Sequence, residues 1–217
     1  MIVYMSLFND NNEVVFPNVP DVDLIFLDPP YNINFKYAEY KDDLSDNEYI
    51  KILSKYKNKK VCILQYPEEF MKYVVPALGV PDKIITWVYN SNISRQHRTL
   101  GFYNIKPDLT KIKQPCKNPN DKRLKNKMVK SYDWWNINLK KNVSKKKENN
   151  THPCVLPDLL MEKIILSTTN EGDTIYDPFM GSGTTGVICK KLNRKFIGCE
   201  MSKEYFDIAS RRINKDF

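Results

Sequence analysis

The chain alternates between short, continuously apolar runs and longer amphipathic ones. Asp23-Leu24-Ile25-Phe26-Leu27-Asp28 is apolar throughout and ends on an acid, the pattern of a strand buried on both faces of a parallel sheet. Lys60 to Gln65, Lys83 to Tyr89, Thr174 to Asp177 and Lys195 to Cys199 repeat it, and Val3 to Phe8 predicts a first strand. Helical patterns separate them. Ser45-Asp46-Asn47-Glu48 is a capping box that opens a helix through Lys55. Further helices are predicted over Glu68–Leu78, from Pro157 through Leu166, over Thr184–Leu192, and after Ser202. Strand and helix in alternation predict an α/β domain spanning residues 1–217.

Between about Asn90 and Asn150 the periodicity fades, and Pro107, Pro115 and Pro119 interrupt the chain. The segment 91–150 therefore reads as an irregular insertion. Charge sharpens this picture. The net charge is +8, yet Lys111–Asn150 holds 13 Lys and Arg against 3 Asp and Glu, so the remainder carries about −2. A near-neutral body with one basic segment points to an anionic partner. Lys122, Arg123 and Lys125 lie within that segment, and Arg95 and Arg98 just before it, as candidate phosphate ligands. Trp134 and Trp135 are expected to pack against the returning domain.

Five cysteines form no C-x-x-C pair and only two histidines occur, so no metal site is expected. No apolar run reaches the ~18 residues of a spanning helix, and no basic-then-apolar leader opens the chain. A soluble intracellular protein without membrane attachment is expected.

Two turns carry the chemistry. Gly181-Ser182-Gly183-Thr184-Thr185-Gly186 fits G-x-G-x-x-G between a predicted strand and helix. Glycines let the backbone approach a ligand, and helix-end N–H groups face it. Glu200, at the tip of the next strand, is placed for a ribose diol. The unit suits an adenosine-type cofactor, nicotinamide dinucleotide or S-adenosylmethionine. Only 17 residues follow Glu200, too few for a dinucleotide domain that begins here.

Asp28-Pro29-Pro30-Tyr31 follows the buried strand directly. Its prolines remove two donors and leave carbonyl acceptors. With the Asp28 carboxylate, the turn can accept both N–H bonds of one exocyclic amine, and Tyr31 offers a face for a planar base. Held this way, the nitrogen lone pair is free to attack a methyl sulfonium by direct displacement.

Asp28–Tyr31 and Asp177-Pro178-Phe179-Met180-Gly181-Ser182-Gly183-Thr184-Thr185 together resemble the catalytic and cofactor motifs of the DNA amino-methyltransferases. Their order is that of the permuted class called beta. Further similarity runs through His152-Pro153, Leu156-Pro157, Asn193 to Gly198 and Tyr205 to Arg212, although the family often has Lys where this chain has Leu156. The resemblance implies a Rossmann-like, mostly parallel seven-stranded sheet, S-adenosylmethionine as cofactor, and a flipped base in double-stranded DNA. It implies base handling by Asp28, Pro29, Pro30 and Tyr31. Cofactor contacts are implied for Asp10, Asp177, Phe179, Gly181, Ser182, Gly183, Thr184 and Glu200. Asp in the first motif position leans towards adenine N6, with cytosine N4, RNA and an inactive DNA-binding module as alternatives. Homodimers occur in the resembled class, and the short basic segment is compatible with one.

Overall fold

The computed structural model describes residues 4–35, 40, 42–91, 94–116, 128–139 and 155–215. Ten strands are present among them. In chain order they are β1 (Met5–Phe8), β2 (Leu24–Leu27), β3 (Val61–Gln65), β4 (Lys83–Val88), β5 (His97–Tyr103), β6 (Lys113–Pro115), β7 (Met128–Lys130), β8 (Trp134–Asn136), β9 (Thr174–Asp177) and β10 (Lys195–Cys199). Eight of them form one sheet in the order β1-β10-β9-β2-β3-β5-β4-β8, and β6 and β7 pair separately. Seven strands of the large sheet run the same way, and β5 alone is reversed between β3 and β4.

Helices cover both faces. They are α1 (Asn12–Val15), α2 (Asp46–Ser54), α3 (Pro67–Glu69), α4 (Val75–Leu78), α5 (Asp158–Thr168), α6 (Thr184–Lys191) and α7 (Lys203–Asn214). A π-helical stretch, Phe70–Val74, joins α3 to α4, so the predicted helix over Glu68–Leu78 is one rod with a widened middle. The capping box of α2 is formed: the Ser45 hydroxyl accepts from the Glu48 N–H, and the Glu48 carboxylate accepts from the Ser45 N–H.

Strand β2 shows how the layers are built. Leu24 and Phe26 pack with Leu160, Ile164 and Ile188 on one side of the sheet. Ile25 and Leu27 pack with Tyr49, Leu53 and Val74 on the other. Successive side chains of a strand point to opposite faces, so a strand with helices on both sides must be apolar at every position. All four residues of β2 are buried.

Two expectations are revised. The sheet has eight strands where seven were expected, because Trp134–Asn136 adds to the edge beyond β4. There Trp135 is fully buried, as expected of a packing residue, while Trp134 remains exposed. The segment after Asn90 is also not irregular throughout. His97–Tyr103 is the longest strand and lies inside the sheet. Its polar first half and central Gly101 mask the strand pattern, while pairing on both sides supplies the stability that propensity lacks. No helix among the described residues is long and apolar enough to cross a membrane.

Candidate active site

Strands β2 and β9 are parallel neighbours, with Ile25 opposite Tyr176. Their carboxyl ends therefore bring Asp28 and Asp177 to one edge, although the chain separates the two turns widely. Both turns line a single cavity of about 300 Å³. Asp28, Pro29, Pro30 and Tyr31 line it, as do Asp10, Asp177, Phe179, Gly181, Ser182, Thr184 and Glu200. Of the residues expected at the cofactor, only Gly183 is not among the lining residues.

Gly183 has another task. It precedes α6 with φ of 79°, and a Cβ there would meet the Cβ of Ala209 at 2.9 Å. The position needs glycine both for its left-handed backbone and for the approach of α7. Arg212 of α7 fixes the same turn: its guanidinium donates to the Ser182 carbonyl and, at 2.9 Å, to the Ser182 hydroxyl. The Glu200 carboxylate spans the turn, accepting from Gly181 N–H (3.0 Å) and Ser202 N–H (2.9 Å). Among the described residues, the buried Thr184 hydroxyl has no hydrogen-bond partner. Asp10 is exposed at the cavity wall, where its carboxylate accepts from Asn11 N–H.

Asp177 is buried, accepting from Phe179 N–H (3.0 Å) and the Thr185 hydroxyl (2.5 Å). Burial pushes its carboxyl up to about 7 against the pull of those hydrogen bonds, with Asp28 and Glu200 adding to the rise. Among the described residues, four carboxylates line the cavity (Asp10, Asp28, Asp177 and Glu200) against one cationic side chain, Arg98. Such a site favours a positively charged ligand.

The Asp28–Tyr31 turn is braced from behind. The Tyr49 hydroxyl donates to the Pro30 carbonyl at 2.6 Å and accepts from Gln65 Nε2 at 2.7 Å. Pro30 thus has its carbonyl engaged within the fold. Beyond Tyr31, the buried Asp42 carboxylate accepts from the N–H groups of Asn32, Ile33 and Phe35 (2.7 to 3.1 Å). This nest shapes the loop that forms the cavity's outer wall. Neither Tyr49 nor Asp42 stood out in the sequence, since one reads as a helix apolar position and the other as a loop acid.

Within the cavity, the Tyr31 hydroxyl donates to Asp28 Oδ1 at 2.8 Å. Arg98 Nη1 donates to that hydroxyl at 3.1 Å. Burial raises the Asp28 carboxyl above its ordinary value, while Arg98 and the Tyr31 hydrogen bond oppose the rise. The structure places Arg98 differently from a phosphate ligand. Because β5 is reversed, its first residues lie at the carboxyl edge of the other strands, and Arg98 turns inwards. Arg95 is also engaged within the fold, donating to both Glu69 carboxylate oxygens and lying over the Tyr66 ring. Lys122, Arg123 and Lys125 lie outside the described residues, as do His152 and Pro153. The described residues contain no group of His, Cys, Asp and Glu that could hold a metal ion.

Comparison with known proteins decides the family. A profile described as DNA methylase, of N6 and N4 type, matches residues 22–211. The chain belongs to the N6/N4 DNA methylase family. Type II methyltransferase M.HpaI of Haemophilus parainfluenzae is 30% identical over 220 residues, covering 90% of this chain and 69% of the relative. M.BglII of Bacillus subtilis is also 30% identical, over 94% of this chain and 67% of the relative. Among solved structures, M1.HpyAVI in complex with S-adenosylmethionine superposes with a TM-score of 0.64 at 26% identity, covering 97% of this chain and all of that one. The cytosine-N4-specific PvuII methyltransferase shares the fold at a TM-score of 0.70 and 16% identity. S-adenosylmethionine is the cofactor of this family. The acid-lined cavity, the glycine turn and the unpartnered Thr184 hydroxyl fit a cationic adenosine cofactor.

Proposed function

We propose that this DNA methylase acts on N6 of adenine in double-stranded DNA, with the base flipped into the cavity. The observation that carries the reading is the single cavity shared by the Asp28–Tyr31 turn and the glycine turn. Glu200 would hold the ribose, Asp10 the adenine side, and Phe179 with the Gly181–Thr184 turn the methionine part of the cofactor. When bound, S-adenosylmethionine supplies an electrophilic methyl group on a sulfonium.

This chain's own residues prepare the nucleophile. The Asp28 carboxylate and the Pro29 carbonyl accept the two N–H bonds of the target amine. The nitrogen is thereby pyramidal, with its lone pair directed away from the ring plane. Asp28 stabilises the partial positive charge developing on that nitrogen, and the proton leaves towards it or to water. Tyr31 packs its ring against the base. No covalent bond to the protein is required. Asp in the first position of the catalytic turn, a stronger acceptor than Ser, favours the adenine amine.

The test is a nucleoside analysis. Purified protein and Asp28→Ala are incubated with S-adenosylmethionine and unmethylated duplex DNA, which is then digested and its nucleosides identified by mass spectrometry. We expect N6-methyladenine, reduced at least about a hundredfold in the variant. N4-methylcytosine in its place would overturn the base assignment. Labelling of RNA with none in DNA would overturn the substrate.

A further inference from the structure

Arg98 is largely shielded from water, yet the groups around it hold its charged form firmly. Its guanidinium lies over the rings of Tyr31 (5.3 Å), Tyr66 (5.1 Å), Trp87 (5.3 Å) and Tyr89 (5.9 Å). Tyr66, Trp87 and Tyr89 are themselves buried. The Nε atom is buried without a hydrogen-bond partner. No salt bridge to a carboxylate is formed by this side chain among the described residues. An apolar side chain of similar length would fill the same aromatic box without the desolvation cost, so packing alone does not account for a cation here. One polar contact runs towards the acid: Arg98 donates to the Tyr31 hydroxyl, which in turn donates to Asp28, while the Tyr66 and Tyr89 hydroxyls also interact with its charge.

We infer that Arg98 is a positioning residue of the methyl-transfer site, fixing Tyr31 against Asp28 and keeping the Asp28 carboxylate in its hydrogen-bond-accepting form. The inference rests on the proposed transfer to an exocyclic amine. An amine donor needs an acceptor, and a protonated Asp28 would present a hydroxyl in place of one oxygen. The groups facing Asp28 pull in opposite directions. Burial and the carboxylate of Asp177 on β9 favour the protonated acid. The Tyr31 hydroxyl of its own turn and Arg98 on β5 favour the carboxylate. From α2, Tyr49 interacts with Asp28 while spending its proton on the Pro30 carbonyl. Among the described residues that line the cavity, Arg98 is the cation, so its removal leaves the Tyr31 hydrogen bond as the described group opposing burial. Reversal of β5 is what makes this possible. A parallel strand in that place would present Arg98 at the opposite edge of the sheet.

The experiment compares wild type, Arg98→Met and Arg98→Lys. Single-turnover methyl transfer into duplex DNA is followed from pH 5 to 9, with cofactor binding and melting temperature as checks on folding. In parallel the Asp28 carboxyl is titrated by carbon-13 NMR, its signal assigned with Asp28→Asn. We expect the Met variant to bind cofactor as wild type does. Its acid limb and the Asp28 titration should both move up by about one pH unit, so that the rate falls up to about tenfold on the acid side of the limb and little on its alkaline side. Lys, which restores charge but not the planar fork, should recover part of both. An Asp28 titration that does not move in either variant overturns the proposal. So does a pH-independent loss accompanied by a shallower salt dependence of DNA binding, which would make Arg98 a phosphate ligand. If wild type methylates no DNA while the Asp28 titration still moves, the transfer reading fails and the electrostatic role of Arg98 stands.

Discussion

Asp177 is a carboxylate whose chemistry departs far from its type. Burial pushes its carboxyl up to about 7, from an ordinary value near 3.8. A raised carboxyl means that the folded state holds its proton more tightly than the unfolded chain does. The stability this confers is complete below about pH 4 and is lost as pH rises through about 7. Asp177→Asn retains an acceptor for Phe179 N–H and can donate to the Thr185 hydroxyl, without the charge. Its melting temperature should exceed that of wild type by about 5 °C at pH 8, with the difference vanishing towards pH 4. Calorimetry across this range checks it, and an unchanged difference from pH 4 to 8 would show that Asp177 does not titrate there. In the sequence, Asp177 looks equally like a strand-end packing residue and a pocket residue, and its geometry makes it both. The role of Arg98 was less legible. An arginine beside a basic segment reads as a phosphate contact, and only the direction of β5 turns it inwards.

At the scale of elements, the boundaries that could be read were those dictated by solvent exclusion. A strand covered on both faces must be apolar throughout, which is why β2, β3, β9 and β10 stand out. Strand β5 lacks that mark at its start, where His97 is exposed. Its later half is buried, and there the fit is tight. A Cβ built on Gly101 would lie 2.5 Å from the Phe70 ring, carried by the π-helical stretch between α3 and α4. The widened helix and the bare strand position are therefore partners in one packing contact. Gly101→Ala should destabilise the fold by about 1–3 kcal/mol, as overpacking does. Truncating the opposing ring in Gly101→Ala/Phe70→Leu should recover part of that loss, and denaturant midpoints of the two variants measure the coupling. Additive losses would mean that the two side chains do not meet.

Across the whole molecule, charge is divided between an acid-lined cavity and a basic segment. The first suits a sulfonium, the second a polyphosphate, and we propose that the segment after β5 faces the DNA. Replacing Lys122, Arg123 and Lys125 together by Gln should weaken duplex binding and lower its salt slope by about 2–3, at roughly 0.9 for each phosphate no longer neutralised. Cofactor affinity should be unaltered. An unchanged slope in fluorescence titrations would remove these three residues from the interface. The sequence made this division plain, because counting charges needs no fold. It could not reveal that β5 and β8, within the same stretch, belong to the central sheet. The pairing of β2 with β9 has a consequence for biosynthesis. Asp23 accepts a hydrogen bond from Thr174 N–H across a separation of 151 residues. Strands β2, β3, β5, β4 and β8 are all translated before β9 and β10 exist. A nascent chain thus carries its Asp28–Tyr31 turn early and acquires its glycine turn late. The cavity closes through the most distant pairing in the sheet's middle, a slow class of folding event. Activity should appear all at once, when that seam closes, with no partly assembled species able to transfer a methyl group.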